Sequence, residues 1–241
     1  MRRTLVTIAV LVSTRVAHAQ LAEHAPDNPS GRAFVTETAE TGSEGAVRAG
    51  VRFLGFGNQP WEADEPIVEA GVSRAMTDDI TIGAAVLVAG NVGGSGHAKL
   101  VLGRGERMAV AMVLGGYAVP TPDELVAGMT GALVATGCLD PRCRIVTSGG
   151  LHLVTSGLAD GAVFAGGSLI GGGRRFAIVV EANAVIAGGE RRPVDFDALF
   201  YGGVRVRARR FQIDAGLIMT TSRGGGRDGY QAPSIGLSTE I

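Results

Sequence analysis

From Ile80 to Val88 every second residue is Ile, Ala or Val, and Thr81, Gly83, Ala85 and Leu87 fill the positions between them. Side chains on a strand point alternately to two faces, so this period of two sets one apolar face against one of mostly small residues. Neither face carries a charge. Such a strand fits an apolar medium on one side and a cramped interior on the other.

The pattern recurs along the chain. Candidate strands run over Ala46–Phe56, Ile67–Ala75, Asp79–Ala89, His97–Gly103, Arg107–Ala118 and Thr130–Cys138. Six more follow at Arg144–Thr155, Gly161–Ile170, Arg175–Ala187, Phe196–Arg207, Phe211–Thr221 and Ala232–Ile241. Most are near the roughly 9–11 residues that a tilted membrane-crossing strand needs. Tight connectors (Met76–Asp79, Arg104–Arg107, Leu139–Arg142, Gly171–Arg174, Arg207–Arg210) alternate with mostly longer ones such as "GNVGGSG", "VPTPDELVAGM" and "SRGGGRDGYQ". "SGLAD" at Ser156–Asp160 is short where a long one is due, and "DELVAGM" is the one stretch with helical potential. Short turns at one end and longer loops at the other are the mark of an up-and-down barrel that spans a membrane.

Parity assigns the faces. Phe176, Ile178, Val180 and Ile186 oppose Glu181 and Asn183; Phe200, Val204 and Val206 oppose Tyr201, Arg205 and Arg207; Phe211, Ile213 and Leu217 oppose Gln212 and Asp214. An Arg or Lys on the lipid face at the bilayer midplane costs about 2–4 kcal/mol. The charges at Arg48, Arg52, Glu69, Lys99, Glu181, Asp197, Arg205 and Asp214 are therefore expected to face the lumen. There they either brace the barrel as ion pairs or line a small pore. The expected fold is all-β, an up-and-down antiparallel transmembrane β-barrel of about 12 strands.

Composition narrows the alternatives. Lys and Arg total 22 against 23 Asp and Glu, so no basic surface calls for nucleic acid. The 38 glycines have no three-residue period, which excludes collagen, and a 46% hydrophobic content argues against disorder. No stretch after the first residues reaches the ~18 apolar residues of a membrane helix. At the start, Met1-Arg2-Arg3, the apolar run Thr4–Val12 and Ala17-His18-Ala19 have the n-, h- and cleavage regions of a secretory signal peptide. The expected organisation is a signal peptide over 1–19, a polar lead-in or plug over 20–45, and the barrel over 46–241.

The stretch "GRAFVTETAETGSEGAVRAGVRFLGFG", followed by "VEAGVSRAMTDDITIGAAV", resembles exported, glycine-rich β-barrel proteins of the Gram-negative outer membrane. The resemblance rests on a threonine-rich lead-in and a hairpin in which Gly71-Val72-Ser73 precedes Asp79-Ile80-Thr81-Ile82-Gly83. It implies the fold over Gly31–Ile241 and an outer-membrane location, with lipid and the barrel assembly machinery as partners. It implies no activity. The chain departs from such barrels in ending "GLSTEI", without a terminal aromatic, and in having only 5% aromatic residues.

Reactive motifs are sparse. "GNVGGSGHAK" lacks the Gly-Lys-Ser/Thr ending of a phosphate loop, so no nucleotide or other cofactor is expected. His97, His152, Ser148, Ser156 and Asp160 are the residue types of a nucleophilic triad, but no spacing brings them together. Cys138 and Cys143 bracket "LDPR", and an oxidising compartment favours a disulfide across that turn over a metal site. The expectation is a non-enzymatic outer-membrane barrel, structural or weakly pore-forming. The alternatives are a soluble periplasmic barrel that binds a small ligand, with Phe176, Phe200 and Phe211 turned inward, and a lipid-modifying barrel enzyme. Oligomeric state is not encoded in any of these features.

Overall fold

The computed structural model describes residues 38–39, 41–54, 67–89, 91–120, 125–156, 160–173, 175–188, 196–208, 210–222 and 231–241. The expected signal peptide, Trp61 and several of the longer connectors lie outside these residues.

Twelve antiparallel strands close into one barrel. They are β1 (Val47–Leu54), β2 (Ile67–Ala75), β3 (Ile80–Ala89), β4 (Asn91–Arg104), β5 (Met108–Pro120) and β6 (Leu125–Cys138). The second half comprises β7 (Ile145–Ser156), β8 (Asp160–Gly172), β9 (Phe176–Gly188), β10 (Phe196–Ala208), β11 (Phe211–Ser222) and β12 (Gln231–Glu240). Each strand pairs with its sequence neighbours, and β12 pairs with β1 from Leu54↔Ser234 to Arg48↔Glu240. Closure leaves no sheet edge with unpaired backbone, which a barrel in lipid requires.

Two expected connectors are strands instead. "GNVGGSG" reads as a loop from its composition, yet Val92 to Gly96 pair in register with Val88 to Ala84. The described part of "DELVAGM", Leu125 to Met129, is strand rather than helix, and Leu125 opens β6 by pairing with Pro120 of β5. Glycine and serine have no polarity contrast to display a period of two, but their backbones still satisfy the ladder. The expected alternation of tight and long connectors is correspondingly weaker at these two hairpins.

The strands are staggered. A row of directly paired residues starts at Arg104, the last residue of β4, and passes through Ala109, Thr136, Ser148 and Ser168. It continues through Glu181, Tyr201 and Ile218 to Ala232, near the start of β12. A row that climbs from one end of the barrel to the other is the shear that tilts strands in a closed barrel. Every member of this row points inward.

The outer surface is apolar. Phe176, Ile178, Leu217 and Ile235 are each exposed over half of their surface, and Phe200 and Phe211 also point outward. A barrel in water would expose the opposite face, so the orientation of these phenylalanines stands against the soluble alternative. Tyr117, Phe164 and Tyr201 point into the lumen, which leaves still fewer aromatics for the membrane interfaces.

The chain ahead of β1 enters the barrel at the end bearing the tight turns. Thr38 and Ala39 are fully buried, and Ala39 packs with Val101, Ala109 and Ala111. The Ala39 N–H donates to Thr136 Oγ1 at 2.8 Å. Thr41 donates to the Asp78 carbonyl and accepts from Arg104 Nη2 at 2.8 Å. These contacts hold the segment across the turn-side mouth of the lumen.

Candidate functional site

The lumen has two unlike walls. Over β5 to β8 it is lined by Ala109, Ala111, Val113, Val134, Thr136, Ser148 and Ser168, all buried and uncharged. Over β9 to β12, β1 and β2 it carries most of the inward charges and amides, beside an apolar cluster of Ala177, Val179, Tyr201 and Ile218. The register explains how those charges coexist. Glu69 on β2 faces Arg52 on β1, Arg52 faces Gly236 on β12, Gly236 faces Asp214 on β11, and Asp214 faces Arg205 on β10. Opposite charges alternate along one row, with a glycine in the centre that leaves room for the long side chains.

Distances grade the pairs. Arg205 donates Nε to Asp214 Oδ1 at 2.7 Å and Nη2 to Oδ2 at 3.2 Å, a bidentate arrangement with Arg205 fully buried. Gln212 Nε2 donates to Asp214 Oδ2 at 2.9 Å, and Arg207 Nε donates to Gln212 Oε1 at 3.4 Å. Arg52 and Glu69 approach to 4.0 Å, a looser contact on a more accessible part of the wall. Nearer the turns Arg48 donates to Glu240 at 3.0 Å. Asn183 Nδ2 donates to the buried Glu181 at 2.6 Å. Buried charge is tolerated only when paired and hydrogen-bonded, and the cross-strand ladder supplies both.

Seven of the eight charges singled out in the sequence lie on inward strand positions: Arg48, Arg52, Glu69, Lys99, Glu181, Arg205 and Asp214. Lys99 is buried opposite Thr81 on β3, away from the charged wall. Asp197 sits at the irregularity between Phe196 and Ala198, where β10 leaves the regular ladder, and is half-buried. Arg207, on the inner face by parity, joins the network through Gln212; Glu240 pairs with Arg48, and Arg104 pairs with Asp79 at the turn end. Parity within "GLSTEI" places Glu240 with Gly236 and Ser238, but only the β12–β1 register shows Arg48 to be its partner.

The triad residues are dispersed. Ser148 shares a 2.8 Å hydrogen bond with Thr136 and lies four positions from His152 on β7, about 13 Å along a strand. Ser156 and Asp160 are opposed at the far ends of β7 and β8, while His97 is on β4, paired with Gly83 and Gly115. Among the described residues no group of His, Cys, Asp and Glu could hold a metal ion. Cys138 and Cys143 are disulfide-bonded with their Cα atoms 4.8 Å apart, and Cys143 has a positive φ of 51°.

The closed twelve-stranded barrel with an apolar exterior and a polar interior is the architecture of Gram-negative outer-membrane β-barrel proteins. No protein-family model and no curated protein sequence matches the chain. Solved structures do. The KdgM porin superposes with a TM-score of 0.59 at 8% identity, covering 80% of this chain and 98% of the porin. The NanC porin gives 0.56 at 8% identity over 81% of this chain and 99% of its own. The outer membrane protein Omp33 of Acinetobacter baumannii gives 0.52 at 10% identity over 83% and 100% of the two chains. At these identities the likeness shows the fold alone.

Proposed function

We propose that this chain is an integral outer-membrane β-barrel protein without enzymatic activity, structural or weakly pore-forming, with a narrow and internally neutralised lumen. It reaches the membrane by export through a cleaved signal peptide. The observation that carries the reading is the Glu69–Arg52–Asp214–Arg205 row, in which lumen charges meet one another rather than a passing solute. Fully buried Arg205, Glu181 and Gln212 leave little free section at that wall. The stretch from Thr38 to Gly45 acts as a plug at the turn end, which by the usual asymmetry of such barrels is the periplasmic side. Porins among the fold neighbours support a pore-like reading of the scaffold and say nothing of a solute for this chain.

Planar-bilayer recording of the full mature chain tests this. Small or absent steps with at most a mild anion preference are expected, because six inward cations (Arg48, Arg52, Lys99, Arg104, Arg205, Arg207) exceed the carboxylates Glu69, Glu181, Asp214 and Glu240 by only two, and most of these charges are paired. Large, strongly selective steps would contradict it. Lipid modification abolished by His97→Ala or His152→Ala would contradict the non-enzymatic part.

A further inference from the structure

The outer face has one feature that an inert lipid-facing wall does not need. Over β11, β12, β1, β2 and β3 it sinks into a groove of about 560 Å³, floored by Ala49, Ala70 and Ala84 and edged by Phe211, Leu237 and Val72. Cross-strand register explains the hollow. Phe211, Thr239, Ala49, Val72 and Ala84 form one row, in which residues no larger than valine follow the phenylalanine. Five strands at roughly 4.8 Å spacing make the groove about 19 Å long across the strands; with strands tilted by about 40° it climbs roughly 12 Å, within the depth of one leaflet's hydrocarbon, about 15 Å.

A charge stands at its edge. Arg74, one strand position beyond Val72 on the same face, is exposed between Val47 and Ile82. Among the described strand residues it is the only charged side chain on the outward face. The acids nearest in sequence are engaged elsewhere: Asp79 pairs with Arg104 at 3.1 Å, and Asp78 accepts the Glu44 N–H at 3.2 Å. Arg74 lies next to the last residue of β2, at headgroup height, where an outward cation is cheap. An apolar trough flanked by a guanidinium beside Val72 matches an amphiphile with an apolar tail and an anionic head.

We propose that this groove and Arg74 form a binding site for one anionic phospholipid of the turn-side leaflet, its acyl chain over Ala49, Ala70 and Ala84 and its phosphate on Arg74. The inference rests on the membrane reading above. The test is native mass spectrometry of the full mature protein in nonionic detergent, titrated with phosphatidylglycerol or phosphatidylcholine. One bound phosphatidylglycerol is expected, held about tenfold more tightly than phosphatidylcholine, with the preference lost in Arg74→Gln. Ala70→Phe, which fills the groove from outside the barrel, is expected to lose the lipid and keep the heat-dependent gel shift of a folded barrel. Equal binding of both lipids by the wild type, or unchanged preference in Arg74→Gln, overturns the site. Disulfide-linked dimers of Ala70→Cys in place of bound lipid overturn it in favour of a second copy. A protein that never inserts into membranes fails the membrane reading itself, a result distinct from an inserted barrel that binds no lipid.

Discussion

Arg205 and Asp214 face each other across β10 and β11 and are joined by two hydrogen bonds of 2.7 and 3.2 Å, with the guanidinium wholly out of water. Removing one partner of such a pair strands the other, at a cost of about 3–5 kcal/mol, whereas replacing both with apolar groups is often neutral. Asp214→Ala is therefore expected to lower the unfolding temperature clearly. Arg205→Met with Asp214→Leu is expected to recover most of the loss. A double variant as unstable as the sum of the single ones would show that the pair is not a unit.

His97 lies over Gly83 of the neighbouring strand. A Cβ at Gly83 would come within 2.5 Å of His97 Cε1 and 2.8 Å of Nε2, with Ser73 Cβ at 3.0 Å, all side-chain atoms. Gly83→Ala is expected to cost about 1–3 kcal/mol by overpacking, and His97→Ala in the same chain to restore stability. Gly216 is the contrast. Its Cβ would meet the Gly202 carbonyl at 2.5 Å and Gly203 Cα at 2.7 Å as well as the Tyr201 ring, so Tyr201→Ala is not expected to rescue Gly216→Ala. Denaturant titration of the four variants separates the two cases.

Thr136 Oγ1 accepts from the Ala39 N–H at 2.8 Å and shares a hydrogen bond of the same length with Ser148 Oγ. Thr136→Val keeps the volume and leaves two buried polar groups unsatisfied, at about 1–3 kcal/mol. The expected result is a loosened plug: faster proteolysis ahead of Gly45 and more frequent opening in bilayer recordings, with the barrel still folded. Proteolysis at the wild-type rate would separate this hydrogen bond from retention of the segment.

The turn between β6 and β7 is expected to respond to pH through Asp140. Burial on its own would raise the Asp140 pKa, but the hydrogen bonds it accepts from Ile145, Arg144 and Arg142 outweigh this and hold it below the usual carboxylate range. A depressed folded-state pKa gives stability that is present above the unfolded value, about 3.9, and lost as pH falls through the folded one. Asp140→Asn is expected to flatten the stability profile on the acid side of that value and to leave it parallel to wild type near neutrality. Because Cys143 has φ 51°, Cys143→Gly in a Cys138→Ser background is expected to be better tolerated than Cys143→Val.

The faces of β9, β10 and β11 were legible in the sequence because Phe, Ile and Val alternate there with Glu, Asn, Arg and Gln. The starts of β4 and β6 were not. "GNVGGSG" has no polarity contrast, and "VPTPDELVAGM" combines turn residues with helix formers, so only long-range pairing decides both. Partnerships that depend on closure were also hidden. Nothing local joins Arg48 to Glu240, 192 residues apart, or Ala39 to Thr136, 97 apart. The fit of His97 over Gly83 needs the β3–β4 register, in which a slip of one residue would turn the ring to the lipid.

The central claim is that the apolar face meets lipid and the charges meet each other inside. Heat-modifiable gel mobility of the protein in isolated outer membranes, unboiled against boiled and after a urea wash, tests it most directly. The account expects the protein to stay with the membrane pellet and to shift on boiling, as a closed barrel does. A protein released by the wash into the soluble fraction, with one mobility before and after heating, would contradict it.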